Sequence, residues 1–218
     1  MFLNIGNNFL PTKILASGKV GYDYLKQKFK PSKVILLGSN KFKKKNKKNK
    51  IKNFNLLVLP SAYEDEASEF IELCYRYLQE NKKLDIKIIF RLHPQINKSN
   101  FVTKNFNLLK KDDRIIISDK NLVDDINFCK FALYRSSSAI IDALQQGLIP
   151  IFFTEKKNNF HLDPLWQLKS KIIVKNYFQL SKVLNNKQQL KKMENLEIIN
   201  FANNYYRPLN YSILRNIT

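Results

Sequence analysis

Only two cysteines, Cys74 and Cys129, occur in 218 residues. That is too few for a disulfide framework or a cysteine-based zinc site. Both sit in apolar contexts and are expected to pack as small hydrophobes. With only two histidines, His93 and His161, no histidine-rich metal centre is indicated, and no metal or cofactor is expected. Five glycines form none of the Walker, G-x-G-x-x-G or G-x-S-x-G patterns. No apolar stretch reaches the ~18 residues of a membrane span. The first 18 residues lack a basic n-region and are interrupted by Asn7 and Asn8, so they do not read as a signal peptide. A cytoplasmic location is expected. Arginine is scarce as well: six of the 38 basic residues, at 76, 91, 114, 135, 207 and 215.

Lysine, by contrast, is abundant. Lys+Arg 38 against Asp+Glu 18 gives a net charge of +20. Such an excess invites nucleic-acid or anionic-membrane partners. Asn, Ile, Phe and Tyr are plentiful too, the signature of AT-rich codons. A phosphate-reading surface would favour the bidentate arginine fork over lysine, so the charge does not point to nucleic acid. Its densest block, Lys41–Lys52, has eight lysines in twelve residues. Self-repulsion makes it an exposed linker, or a peripheral contact with the inner face of a membrane. At 44% hydrophobic and 12% aromatic residues, the chain is long and apolar enough to bury a core unaided.

The patterning divides the chain into a strand–helix–strand piece over 1–40, the lysine-rich linker over 41–53, an α/β domain over 54–195 and a C-terminal helix and tail over 196–218. In the first piece, Thr12–Ser17 and Lys33–Leu37 read as strands around a helix at Val20–Lys30. In the domain, short continuous apolar runs predict strands at Asn55–Leu59, Asp85–Arg91, Arg114–Ser118, Phe131–Tyr134, Ile149–Phe153 and Lys171–Val174. Helical spacing falls between them at Glu64–Glu80, Phe101–Leu109, Leu122–Cys129 and Ser138–Gln146. Gly147 suits the position just past the last of these. Further helices are expected at Tyr177–Leu184 and Leu190–Tyr206. Unalternating strands separated by helices imply a Rossmann-like, doubly wound parallel sheet buried on both faces. Ligands bind such sheets beyond the carboxyl ends of the strands.

Three strand ends carry candidate groups. After the first strand, Ser61 with Glu64 has capping-box spacing, and Ser61 with nearby amides could also face a ligand phosphate. After Asp85–Arg91 come Arg91, Leu92, His93 and Pro94. The imidazole and guanidinium there suit a phosphate or a departing nucleotide, with His93 as the catalytic group. After Phe131–Tyr134 come Arg135, Ser136, Ser137 and Ser138 at a helix start, where hydroxyls and amides converge as an anion site. Asp142, one turn on, could accept from a ribose or simply favour the helix dipole. The loop Thr154–Trp166, holding His161, Asp163 and the single tryptophan, has no diagnostic spacing.

The segments LPSAYEDE, IKIIFRLHP and YRSSSAIIDALQQGLIPIFF together resemble the nucleotide-sugar-binding half of GT-B glycosyltransferases. The likeness is to bacterial enzymes of surface-carbohydrate synthesis with His-Pro and Ser-Ser motifs: sialyltransferases, polysialyl and Kdo capsule transferases, and CDP-glycerol glycerophosphotransferases. It implies contacts from His93, and from one or two of Ser136, Ser137 and Ser138, to the phosphate of a cytidine nucleotide. The segment Asp142–Gly147 is similar to the families' E-A-L-x-x-G, whose acidic residue meets ribose. Gly18–Leu25 and Lys33–Ser39 resemble the last strand–helix–strand of the N-terminal domain. Leu92 before His-Pro and Arg135 before the serines depart from the family pattern. Nearly all of the acceptor domain is expected to lie on a separate domain or partner subunit. The resemblance thus implies a CMP- or CDP-linked donor and a saccharide or lipid-linked acceptor. A catalytically silent nucleotide-binding or assembly module, and a charge-driven nucleic-acid or anionic-membrane binder, are the alternatives.

Overall fold

A computed structural model describes residues 11–30, 33–42, 54–154, 163–186 and 196–216. Most of the Lys41–Lys52 run, His161 and the first part of the expected helix Leu190–Tyr206 lie outside the described residues. The chain divides into two compact units, one holding the chain up to Lys44 together with Asn200 onward, the other Lys45–Ile199.

In the larger unit, β3 (Leu56–Leu59), β4 (Ile88–Phe90), β5 (Ile115–Ile117), β6 (Phe131–Tyr134), β7 (Ile149–Phe153) and β8 (Ile172–Val174) form one sheet in the order β5-β4-β3-β6-β7-β8. Every pairing is parallel. The first three strands run outward one way and the last three the other, so the order reverses between β3 and β6. This is the Rossmann order with its topological switch point. The helices are α2 (Glu64–Glu80), α3 (Lys98–Lys104), α4 (Phe106–Leu109), α5 (Leu122–Phe128), α6 (Ala139–Gln145) and α7 (Tyr177–Asn185).

Strand alternation assigns the two faces. Leu56, Val58, Ile88, Phe90, Phe131, Leu133, Ile149, Ile151 and Phe153 form one core with Phe70, Ile71 and Cys74 of α2 and Leu180 and Leu184 of α7. Residues of the other parity, Leu57, Leu59, Ala132 and Tyr134, are buried as well. A sheet covered on both faces explains runs without hydrophobic alternation. Pro150 is tolerated inside β7 for a related reason. The Ile149 amide points to β6, bonding Lys130 O, so position 150 faces the other way, and pairing with β8 starts only at Ile151. The missing N–H breaks no ladder bond.

Element ends follow bonding partners more than propensity. β4 is shorter than the run Asp85–Arg91 because its neighbours pair only with Ile88–Phe90. The expected helix Phe101–Leu109 is interrupted at Asn105, whose buried amide donates to Phe101 O and Ser68 Oγ. At the end of α6, Gly147 (φ 90°) donates to Leu144 O and Leu148 N to Ala143 O, the paired bonds of a Schellman motif.

In the smaller unit, β1 (Ile14–Ala16) and β2 (Val34–Leu36) pair in parallel around α1 (Lys19–Lys28). The chain from the end of α8 (Leu196–Tyr205) to α9 (Tyr211–Arg215) binds this piece. Arg207 N donates to Ser17 O, Ser39 N to Arg207 O and Asn210 N to Leu37 O, at 2.8–2.9 Å.

Candidate functional site

Parallel pairing puts the ends of β4, β3 and β6, three adjacent strands, on one edge beside the switch point. The segments carrying Ser61, His93 and Ser136–Ser138 are thereby brought to the same edge.

At the end of β3, the capping box takes another form. Tyr63 occupies the N-cap of α2 without a side-chain cap bond. The Ser61 hydroxyl accepts from Tyr63 N at 3.3 Å, and the Ser61 amide donates to Glu66 Oε1 at 2.9 Å. Glu66 therefore takes the part expected of Glu64, because the turn is longer than a capping box and α2 starts beyond it. Ser61 and Glu66 are both buried.

At the end of β4, Arg91 continues the strand's alternation onto the face of α5. Its Nη1 lies 3.0 Å from Asp125 Oδ2 and donates to Lys120 O at 2.6 Å. Asp125 is buried and also accepts from Ser118 Oγ at 2.6 Å. Two residues on, half-buried His93 accepts the Gln95 amide at Nδ1, 3.3 Å away. An accepting Nδ1 leaves the ring N–H of the neutral imidazole on Nε2, and no described residue bonds Nε2.

At the end of β6, the sequence puts Arg135 with the serines at the anion site. Arg135 is instead 2% exposed. Its parity with Phe131 and Leu133 sends it to the α2 face, where Nη1 bonds Glu69 Oε2 at 2.7 Å and Nε bonds Phe153 O at 3.3 Å. The guanidinium packs against the rings of both Phe70 and Phe153, 5.6 and 4.7 Å from their centroids. Thus Arg91 and Arg135 are each paired with a helix carboxylate. Ser136 and Ser137 are half-buried and Ser138 is exposed. Their hydroxyls, and the amides of Ser137, Ser138 and Ala139, have no partner among the described residues. Ser138 caps no amide with its side chain. This turn can donate several hydrogen bonds to one anion. Asp142, half-buried on α6, already has a partner of its own.

Asp163, to which the sequence assigned no role, anchors the far side of this edge. Its carboxylate accepts from Tyr134 Oη at 3.0 Å and Leu165 N at 2.8 Å, and pairs with Lys171 Nζ at 2.5 Å. Burial, reinforced by this carboxylate, pushes the Tyr134 phenol above its ordinary value. Strand parity was the available signal: Tyr134 must face opposite to Leu133 and Arg135. A cavity of about 250 Å³ opens next to Glu69 and Phe153, lined also by Glu72, Arg76, Lys175 and Tyr177. Among the described residues, no three metal-ligating side chains converge, and no helix is long and apolar enough to cross a membrane.

No protein-family model matches the chain, and no curated protein matches its sequence. Solved structures do match in fold. The chain is similar to the S. aureus MnaA–UDP co-structure, with TM-score 0.58 and 16% identity over 90% of this chain and 57% of that one. It is similar to Methanocaldococcus jannaschii UDP-GlcNAc 2-epimerase in complex with UDP-GlcNAc and UDP, with TM-score 0.58 and 15% identity over 94% of this chain and 60% of that one. It is similar also to the wall teichoic acid polymerase TagF soaked with CDPG, with TM-score 0.56 and 12% identity over 94% of this chain and 54% of that one. The chain spans about half to three fifths of the length of these proteins. The larger unit has the Rossmann-like α/β fold of a GT-B half-domain.

Proposed function

We propose that this chain is the donor-binding half of a glycosyltransferase-type enzyme of surface-polysaccharide synthesis, holding a nucleotide-activated sugar by its phosphate. The observation that carries the reading is the Ser136–Ser138 turn. Its hydroxyls and amides lack partners among the described residues, on a strand bordering the switch point of a Rossmann sheet. The fold likeness to proteins solved with UDP, UDP-GlcNAc and CDPG supports it.

In this reading the serine turn holds a phosphate of the donor. His93 donates from Nε2 to a phosphate oxygen as charge accumulates on the leaving nucleotide. Ser61 braces the neighbouring loop through the bond to Tyr63 N, and Asp142 accepts from the ribose. An acceptor hydroxyl, held by a separate domain or partner, attacks the anomeric carbon and gives its proton to a base of that domain, while the bond from that carbon to the donor phosphate oxygen breaks and the nucleotide leaves with its electrons. The bound nucleotide is assigned to cytidine.

Isothermal titration of CMP, CDP and UDP tests this. Saturable binding that Ser137→Ala weakens is expected, with the cytidine nucleotides the tighter. Absence of binding by all three nucleotides would overturn the assignment, and tighter UDP binding would replace cytidine by uridine.

A further inference from the structure

The residue just before the serine turn is a buried cation aimed away from it. Arg135 joins three elements at the carboxyl edge: its own strand β6, helix α2 through Glu69, and the end of β7 through Phe153 O. Burying a guanidinium is costly even when a partly exposed carboxylate pairs with it, and an apolar side chain of similar volume would fill the same space against Phe70 and Phe153 with less desolvation. What guanidinium adds is direction, because its planar fork makes two bonds at fixed angles. Those bonds tie down Arg135, the residue from which Ser136 leaves the sheet. Arg91, clamped to Asp125 on the opposite face, stands in the same relation to His93. Each of the two phosphate-contacting segments proposed above thus follows an arginine tied down to a helix.

We propose that Arg135, through its bonds to Glu69 and Phe153, is a positioning residue that sets the geometry of the Ser136–Ser138 turn for phosphate. The proposal rests on the nucleotide reading of that turn, but its structural half can be measured without ligand.

The variants are Arg135→Met, which keeps volume and removes both directional bonds, and Glu69→Gln, which keeps an acceptor and removes the charge. Three measurements are made on each: thermal midpoint, amide hydrogen exchange in the ligand-free protein, and CDP and UDP affinity by titration. Exchange at Ile140 and Ile141, whose amides bond Ser137 O and Ser138 O, should rise about tenfold in Arg135→Met, and affinity fall about tenfold, the equivalent of one displaced hydrogen bond. Exchange at Ile88–Phe90 in β4 should stay unchanged. Glu69→Gln should move both quantities in the same direction by less. A purely structural role would raise exchange across β4 and the serine turn alike, and that result overturns the proposal. Unchanged exchange at Ile140 and Ile141 overturns it too. If Arg135→Met does not fold, Glu69→Gln decides by the same two comparisons. If wild type binds no nucleotide, the functional reading fails while the exchange data still settle whether Arg135 holds the turn.

Discussion

The Gln95 amide donates to His93 Nδ1 at 3.3 Å, across the single residue Pro94. That bond orients the imidazole and assigns its proton to Nε2, so the ring offers one donor on the side away from its own loop. Proline at 94 stiffens the turn that makes the bond. A histidine held this way is suited to donating to an anion without first becoming charged.

The tautomer distinguishes two conservative replacements. A glutamine amide can stand where Nε2–H stands, whereas an asparagine amide reaches only the Nδ1 position. In titrations with CDP or UDP, His93→Asn should lose about tenfold in affinity, the loss of one hydrogen bond to a charged group. His93→Gln should lose clearly less. Equal losses would show that Nε2 is not the donor. Thermal midpoints should stay within about 2 °C of wild type, as for other partly exposed substitutions.

Acid should cost the protein the pairing of Asp112. Bonding from Arg114, its largest influence, holds the Asp112 carboxyl below the ordinary range. Arg114 pairs with Asp112 Oδ2 at 2.7 Å and donates to the carbonyls of Leu78, Asn81 and Leu84, closing the C-terminal end of α2. A carboxyl depressed in the folded state contributes its stabilisation fully above the ordinary value of about 3.9 and loses it as pH falls through the depressed one. Asp112→Asn should therefore be less stable than wild type at pH 7, with the gap closing at acid pH. Urea midpoints between pH 7 and 2.5 measure this. A gap that is constant with pH would refute it.

Gly38 should tolerate no side chain. Its φ is 90°, and a Cβ there would lie 2.0 Å from Pro208 O. Left-handed backbone costs a non-glycine residue about 1–2 kcal/mol before any clash. In Gly38→Ala, exchange of the Arg207 and Asn210 amides, which bond Ser17 O and Leu37 O, should accelerate. Gly21→Ala is the control: nothing lies within 4 Å of its Cβ site in α1, and alanine should add up to about 1 kcal/mol there. Similar exchange in the two variants would refute the packing assigned to the tail.

The two thiols should be silent. Cys74 and Cys129 are buried, and burial pushes both above the ordinary thiol range. A thiol-specific chromogenic reagent should titrate neither in the native protein and both in denaturant. Fast native labelling of Cys129 would show that the end of α5 opens.

Much of the fold was legible because parallel strands buried on both faces need continuous apolar runs, and IPIFF and FALY satisfy that requirement locally. Gly147 was equally legible, since a left-handed helix end selects glycine. The site was legible only as a set of strand ends. His93 and Ser136–Ser138 fall on the edge as their positions after β4 and β6 require. Arg91 and Arg135 look like free cations in the sequence, yet they belong to the sheet faces, because the last strand residue carries its alternation one step further. Their partners, Asp125 and Glu69, lie 34 and 66 residues away along the chain, a separation over which no local pattern operates.

By itself the sequence determined which segments become strands, that Gly147 closes α6 and which polar residues stand at strand ends. These depend on burial period and on backbone constraints within a few residues. Tertiary structure alone decided the strand order with its reversal between β3 and β6, and which charges remain available. Both depend on which distant segments meet, and a carboxylate brought beside a guanidinium in a buried site takes up its charge and fixes its direction.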